Sequence, residues 1–308
     1  MGEFVGYQIT IGDYSSDWAL MDRAQDPRTK PGYLSREEVI DFYGSLGIHG
    51  VELNHSYWYD YTPAQLRRLT ADAGLSIVAY TIFIDLAVPS RDRQRALDQF
   101  SAMSERTVEI GSPRIYVIPV VVKSGFSLDE QRGWLIENLQ RASERAGPMG
   151  LTIIAENIDY PPARPLMGRG ADCGDICAQV GSPAFRLTYD AAASVFVGDD
   201  SLRTLEEMSA YIGHVHLKNL RPLAPGEHPD RFREADDGKR YTGTTLDSGI
   251  IPIETIVREL KRLGYTGFLQ IEYQGEDDPR VALRHNVEHL RDLLQHIADA
   301  PQVRSQGL

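Results

Sequence analysis

Eight times along the chain, an apolar run rich in β-branched residues is followed by a segment with helical periodicity. That alternation predicts βα units laid side by side in a parallel sheet. The expected strands are Val5–Thr10, Gly50–Asn54, Ser76–Ile84, Arg114–Val121, Leu151–Glu156, Arg186–Asp190, His214–Lys218 and Phe268–Tyr273. Helix starts between them carry cap chemistry: Ser35 with Glu38, Thr62 with Pro63 and Gln65, and Ser127 with Glu130.

Spread over 308 residues, eight units take about 38 residues each, the span of a strand, a helix and two loops in a closed barrel. The expected fold is therefore α/β, a single (β/α)8 TIM barrel with an extended loop after strand 7, and residues 1–308 form one domain. An open doubly wound sheet is the rival, but VGYQITIGDYSSDW at the first strand offers no G-x-G-x-x-G phosphate turn. The surplus length sits in Gly12–Leu34 and Asn219–Asp247, two polar stretches expected at the C-terminal ends of strands, where such barrels carry their sites. The second holds Gly226, Gly238 and Gly243 and is expected to close over the site as a mobile lid.

Composition narrows the partners. With 44 Asp+Glu against 32 Lys+Arg the net charge is −12, the wrong sign for a surface that binds nucleic acid by displacing counterions from phosphates. No apolar run approaches the roughly 20 residues of a membrane span, and the start has neither the basic nor the apolar part of a signal peptide. The expectation is a cytoplasmic protein with no membrane partner. Cys173 and Cys177 lie four apart, not as a C-x-x-C pair, and read as two buried free thiols.

Four strand ends carry residues that a packed barrel does not otherwise want. Glu156 ends LTIIAE, Asp190 ends RLTYD, Glu272 ends FLQIE, and HVHLK places His214, His216 and Lys218 at alternate positions. Residues two apart share a strand face, so Val215 and Leu217 pack outward while the two histidines and the lysine point into the barrel; the same parity turns the three carboxylates inward. Three carboxylates at one mouth repel unless a positive charge lies between them. Glu156, Asp190, His216 and Glu272 are therefore expected to hold one divalent ion, Mn²⁺ above all and otherwise Mg²⁺ or Co²⁺. His214, one pleat deeper, is read as an inward supporting or substrate-facing residue rather than a ligand.

Strand-end Glu and Asp, a His-x-His-x-Lys strand and a last strand ending in Glu resemble the xylose-isomerase-like TIM-barrel superfamily, the sugar phosphate isomerase/epimerase group. The resemblance runs from Val5 to about Leu294 and includes YTGTTLDSGIIPIETIV followed by RELKRLGYTGFLQIEYQGEDDP. It implies the same four metal ligands. Two departures stand out: Ala193 lies three residues after Asp190, where many members have His or Asn, and Pro162 lies where ketohexose 3-epimerases place a substrate-binding Glu. No Gly-rich loop or basic cluster marks a phosphate site, so a free sugar, polyol or glycoside fits better than a sugar phosphate.

The resemblance implies removal of a proton next to a carbonyl through an enediolate, with Glu156 and Glu272 as the bases. Return of the proton gives an isomerase or epimerase. Loss of a leaving group from the next carbon gives a lyase, as in inosose-type dehydratases or eliminative cleavage of 3-keto-glycosides. Substrate contacts are expected from His55 and Trp58 with the neighbouring tyrosines, and from His214, Lys218 and Arg221. Two other classes stay open: a metal-dependent phosphodiesterase, for which His49 and His55 are too few extra ligands, and a noncatalytic sugar-binding protein. A homo-oligomer or a small partner subunit is compatible with the sequence.

Overall fold

The structure, a computed structural model, describes residues 7–16, 34–118, 122–157 and 166–299. Eight strands close into a parallel barrel: β1 (Gln8–Gly12), β2 (Gly50–Asn54), β3 (Ser76–Ile82), β4 (Arg114–Val117), β5 (Thr152–Glu156), β6 (Phe185–Asp190), β7 (Ile212–Leu217) and, after an insertion, β11 (Phe268–Ile271). β1 pairs with both β2 and β11, which closes the ring. Every expected strand has its counterpart, although Val5, Gly6 and the end of the Arg114–Val121 run lie outside the described residues, as do Pro162 and most of Gly12–Leu34.

Local chemistry sets the units. The three anticipated helix starts each form a reciprocal capping box, Ser35 with Glu38, Thr62 with Gln65 and Ser127 with Glu130, so two of the otherwise unpaired amides at each start are satisfied. Outward strand residues such as Val215, Leu217, Leu269 and Ile271 are fully buried beneath the helices, which is where most of the apolar core lies. Cys173 and Cys177 belong to this core as free thiols.

The inside of the barrel is unusual. Such interiors are commonly filled by Val, Ile and Leu. Here Thr10, Glu52, Thr81, Thr188, His214, His216 and Gln270 all face inward fully buried. Two register shifts, between Val51 and Glu52 on β2 and between Leu187 and Thr188 on β6, sit just below the C-terminal mouth. Such irregularities re-aim the side chains beyond them, here Glu52 and Asp190.

The segment after β7 is folded rather than loose. β8 (Asn219–Pro222), β9 (Arg233–Glu234) and β10 (Arg240–Thr244) form an antiparallel sheet in the order β8-β10-β9, standing on the mouth of the barrel. Asn219 anchors it: its amide donates to the carbonyls of Leu246 and Ile251, and its oxygen accepts from the amides of Leu220 and Ile251. The stretch expected as a loop thus carries a three-stranded sheet, and the Asn219 side chain spends its whole hydrogen-bonding capacity holding the start of β8. Among the described residues, no helix is long and apolar enough to cross a membrane.

Candidate metal centre and its mouth

Asp190 ends β6 with its side chain held on both sides. Its Oδ1 accepts from the amides of Ala192 (2.8 Å) and Ala193 (3.1 Å), while the Asn157 side chain bridges to the Asp190 main chain in both directions. Oδ2 is left to face Lys218 Nζ at 2.8 Å. That lysine also donates to Glu272 Oε1 at 3.1 Å and is buried. His216 lies level with Asp190 and Gln270 in the sheet register. Its Nδ1 looks up between two carboxylates, 3.5 Å from Glu156 Oε2 and 3.6 Å from Glu272 Oε2.

One ligand atom from each of Glu156, Asp190 and His216 lies within 4.8 Å of the others. Glu272 is the fourth residue of this mouth, turned partly aside toward Lys218 and the Gln274 amide, which donates to Oε1 at 2.5 Å. The donor set of carboxylate oxygens with one imidazole nitrogen suits a divalent cation of the harder kind. The electrostatics agree with that chemistry. Burial opposes a charged His216, yet its contacts with Glu156, Glu272 and Glu52 outweigh it and hold the imidazole well above its usual range. The carboxylates thus draw a proton to the point where a cation would sit.

The two glutamates differ. Burial raises Glu156 above the ordinary carboxylate value, helped by the charges of Asp190 and Glu272 and only partly offset by His216. Burial acts on Glu272 in the same direction, but Lys218 and His216 overcome it and bring the group down to about 2. Neighbouring carboxyls whose environments push them apart are the usual arrangement where one group gives a proton and another takes one.

A second acidic residue lies beneath the first group. Glu52 accepts from Thr81 Oγ1 through Oε1 at 2.7 Å, and its Oε2 is 3.5 Å from both His214 Nε2 and His216 Nε2. Gln270 fills the remaining space, 3.2 Å from His214 Nε2 and 2.9 Å from His216 Nε2. Sequence reasoning missed Glu52. Its signal was a charged residue in the middle of the apolar strand GVELN, on the inward parity and away from any strand end.

The mouth is a cavity of about 140 Å³ walled by Tyr14, Asn54, Phe83, Tyr116, Arg233 and Gln274 around Glu156, Lys218 and Glu272. Of the expected substrate contacts, Lys218 lies in it. His55 does not line it; the chain turns into a helix after Asn54, which carries His55 to the Tyr80 hydroxyl at 2.8 Å. Trp58 is 0% exposed and donates through Nε1 to Asp13 at 2.6 Å, so it is part of the core and presents no face to a substrate. His214 is likewise sealed beneath the mouth, between Glu52 and Gln270. Arg221, on β8, is turned away into a bidentate pair with Glu227. The residues that wall the cavity instead, Tyr14, Phe83, Tyr116, Arg233 and Gln274, come from loops and strand ends with no spacing pattern that sequence reading could have used.

Comparison with known proteins fits this geometry. The profile of the xylose isomerase-like TIM barrel matches residues 40–293. An inosose dehydratase of Geobacillus thermodenitrificans is 24% identical over 268 residues, covering 82% of this chain and 85% of that protein. A 2-oxo-tetronate isomerase of Haemophilus influenzae is 23% identical over 247 residues, covering 76% and 87%. Among solved structures, the IOLI protein, which holds a zinc atom, superposes with a TM-score of 0.69 at 13% identity over 94% of this chain and 98% of its own. The chain belongs to the xylose isomerase-like TIM barrel family.

Proposed function

We propose that this protein is a divalent-metal-dependent isomerase or epimerase of a small keto sugar or polyol, working by proton removal next to a carbonyl. The observation that carries the reading is the pair of carboxylates, Glu156 and Glu272, flanking one imidazole nitrogen at the barrel mouth. Glu156, Asp190, His216 and Glu272 would hold a divalent cation, which we assign as Mn²⁺ and which would supply Lewis acidity toward the substrate's carbonyl. The chain's own part is proton handling and positioning. One glutamate accepts the proton from the carbon beside the carbonyl and the other returns it from the opposite side, so the configuration or the position of the carbonyl changes. Lys218, already donating to Glu272, stands where it can also donate to an oxygen that gains charge as the proton leaves. Tyr14 and Tyr116 wall the cavity, and burial raises both phenols far above their usual range, so they remain neutral donors.

A second reading is a dehydratase, supported by the inosose dehydratase likeness over 82% of the chain. It uses the same first step and differs only in losing a leaving group from the next carbon. The test is solvent exchange: Mn²⁺-loaded protein with a panel of keto sugars in deuterated water, followed by proton NMR. Deuterium entering the position next to the carbonyl, with a rearranged or epimerised sugar, supports the isomerase. An unsaturated or deoxy product supports the dehydratase. Absence of exchange across the panel, with the metal bound, overturns the reaction class.

A further inference from the structure

At the opposite end of the barrel from the mouth, a cavity of about 340 Å³ opens where β4, β7 and β11 begin. Arg114, the first residue of β4, shares its strand face with Tyr116 two positions on, so the same parity that sends Tyr116 into the mouth sends Arg114 to the floor. β4 stands across the ring from β11, and the side chain spans the floor between them, its guanidinium 5.2 Å from the centre of the Phe268 ring. Nη1 reaches the Val78 carbonyl at 3.3 Å, while Nε and Nη2 have no acceptor among the described residues and are not sealed off. Burial pulls this guanidinium below its usual value against the Tyr265 phenol, and no carboxylate among the described residues offsets it. Arginine nevertheless stays charged in proteins. Among the described residues lining the cavity none is acidic, and Arg114 alone is charged. A permanent charge drawn largely out of water without a counter-ion is costly, and an anion relieves that cost.

We propose that this cavity binds a small oxyanion, the carboxylate or phosphate group of a metabolite, on the open side of the Arg114 guanidinium. The planar fork presents parallel donors that match two oxygens of such a group. Thr266, exposed at the rim and with no hydrogen-bond partner among the described residues, adds a hydroxyl donor, and Ile212, Leu260 and Leu263 leave an apolar wall for the ligand's carbon body. The volume lies within the roughly 300–1,000 Å³ usual for a small-molecule site. The net charge of −12 does not decide against an anion here, because at physiological salt charges beyond about 8 Å are largely screened. The site is independent of the reaction assigned to the mouth. Tyr116 and His216 lie toward the far ends of the same strands, so an anion at the floor leaves the mouth open to its own substrate.

The probes are acetate and inorganic phosphate, added at constant ionic strength to the full chain without divalent ions, so that no metal at the mouth takes up the anion. Arginine Nε–H resonances are followed by heteronuclear NMR, and the Arg114 signal is the one missing from Arg114→Met. That signal is expected to shift saturably. Saturation at lower acetate than phosphate names a carboxylate ligand, and the reverse names a phosphate ester. By calorimetry the affinity should fall at least about tenfold in Arg114→Met, which removes the charge-assisted hydrogen bonds and keeps an apolar stem over Phe268. Thr266→Glu, at an exposed position and checked by circular dichroism, carries the test independently: its carboxylate pairs with the guanidinium and should block both anions. An Arg114 signal that shifts saturably with neither anion overturns the site. So does an affinity unchanged in both variants, which would put the anion at another cation such as Lys218.

Discussion

His216 is asked to do two things with one ring. To bind a cation through Nδ1 it must carry its proton on Nε2, and the carboxylate placed to accept that proton is Glu52, at 3.5 Å. Glu52→Gln is therefore expected to weaken Mn²⁺ binding about 10–100-fold, as loss of a supporting carboxylate typically does. Calorimetric titration checks this; unchanged affinity would mean that the Glu52 carboxylate does not set the tautomer. His216→Ala should abolish stoichiometric binding in elemental analysis while circular dichroism stays near wild type. At the reacting groups, Glu156→Gln and Glu272→Gln should each lower turnover at least about 10²-fold, because the amide keeps the size and removes the base. If either variant turns over at the wild-type rate, that residue only holds metal. The four mouth residues were legible because three of them end an apolar run with the wrong polarity for a core and His216 repeats the inward parity of His214 within HVHLK. Glu52 was not, since a carboxylate in mid-strand reads as a surface position until the barrel closes and leaves it fully buried.

Among the elements, the sheet β8-β10-β9 is where sequence and structure part. Its Gly and charge content reads as a loop, and short strands of four, two and five residues leave almost no alternation to detect. The close approach that seats it is equally invisible: a Cβ on Gly243 would lie 2.4 Å from the Gln274 carbonyl carbon, so β10 presses its backbone directly on the strand end that carries Glu272. Gly243→Ala should lift the sheet from the mouth and cost about 1–3 kcal/mol, the usual range for overpacking. Denaturant titration reads the stability, and the amide protons of β8 and β10 should exchange faster than in wild type. A swap without effect on either would show that the sheet is only loosely docked. Strand order and the helix starts, in contrast, were readable, because period-two apolar runs and capping boxes act within a few residues.

For the whole molecule, the polar barrel interior makes folding and metal binding one problem. In the ion-free protein Glu156 has its folded value raised above the ordinary 4.5 by burial and by the Asp190 and Glu272 charges. A raised carboxyl contributes stability below its unfolded value, and that contribution is lost as pH rises through the folded one. Glu272 has the opposite sign: held near 2, it contributes above the ordinary 4.5 and loses this only as pH falls toward 2. Between pH 5 and neutrality the Glu272 contribution is therefore constant, whereas Glu156 and His216, both raised above their ordinary values, each cost the ion-free barrel stability as pH rises. A divalent cation removes this penalty because it favours the ionised carboxylate, and protons compete with it in acid. At a concentration one hundred times its dissociation constant, Mn²⁺ should stabilise the fold by about 2.7 kcal/mol. With an unfolding entropy of about 2.1 cal/mol/K per residue, that raises the melting temperature by about 4 °C. Scanning calorimetry with a fixed Mn²⁺ concentration should show a larger rise at pH 7.5 than at pH 5, and none at either pH for His216→Ala. A rise that is equal at both pH values would place the bound ion away from Glu156, and a rise that survives in His216→Ala would place it outside the barrel mouth altogether.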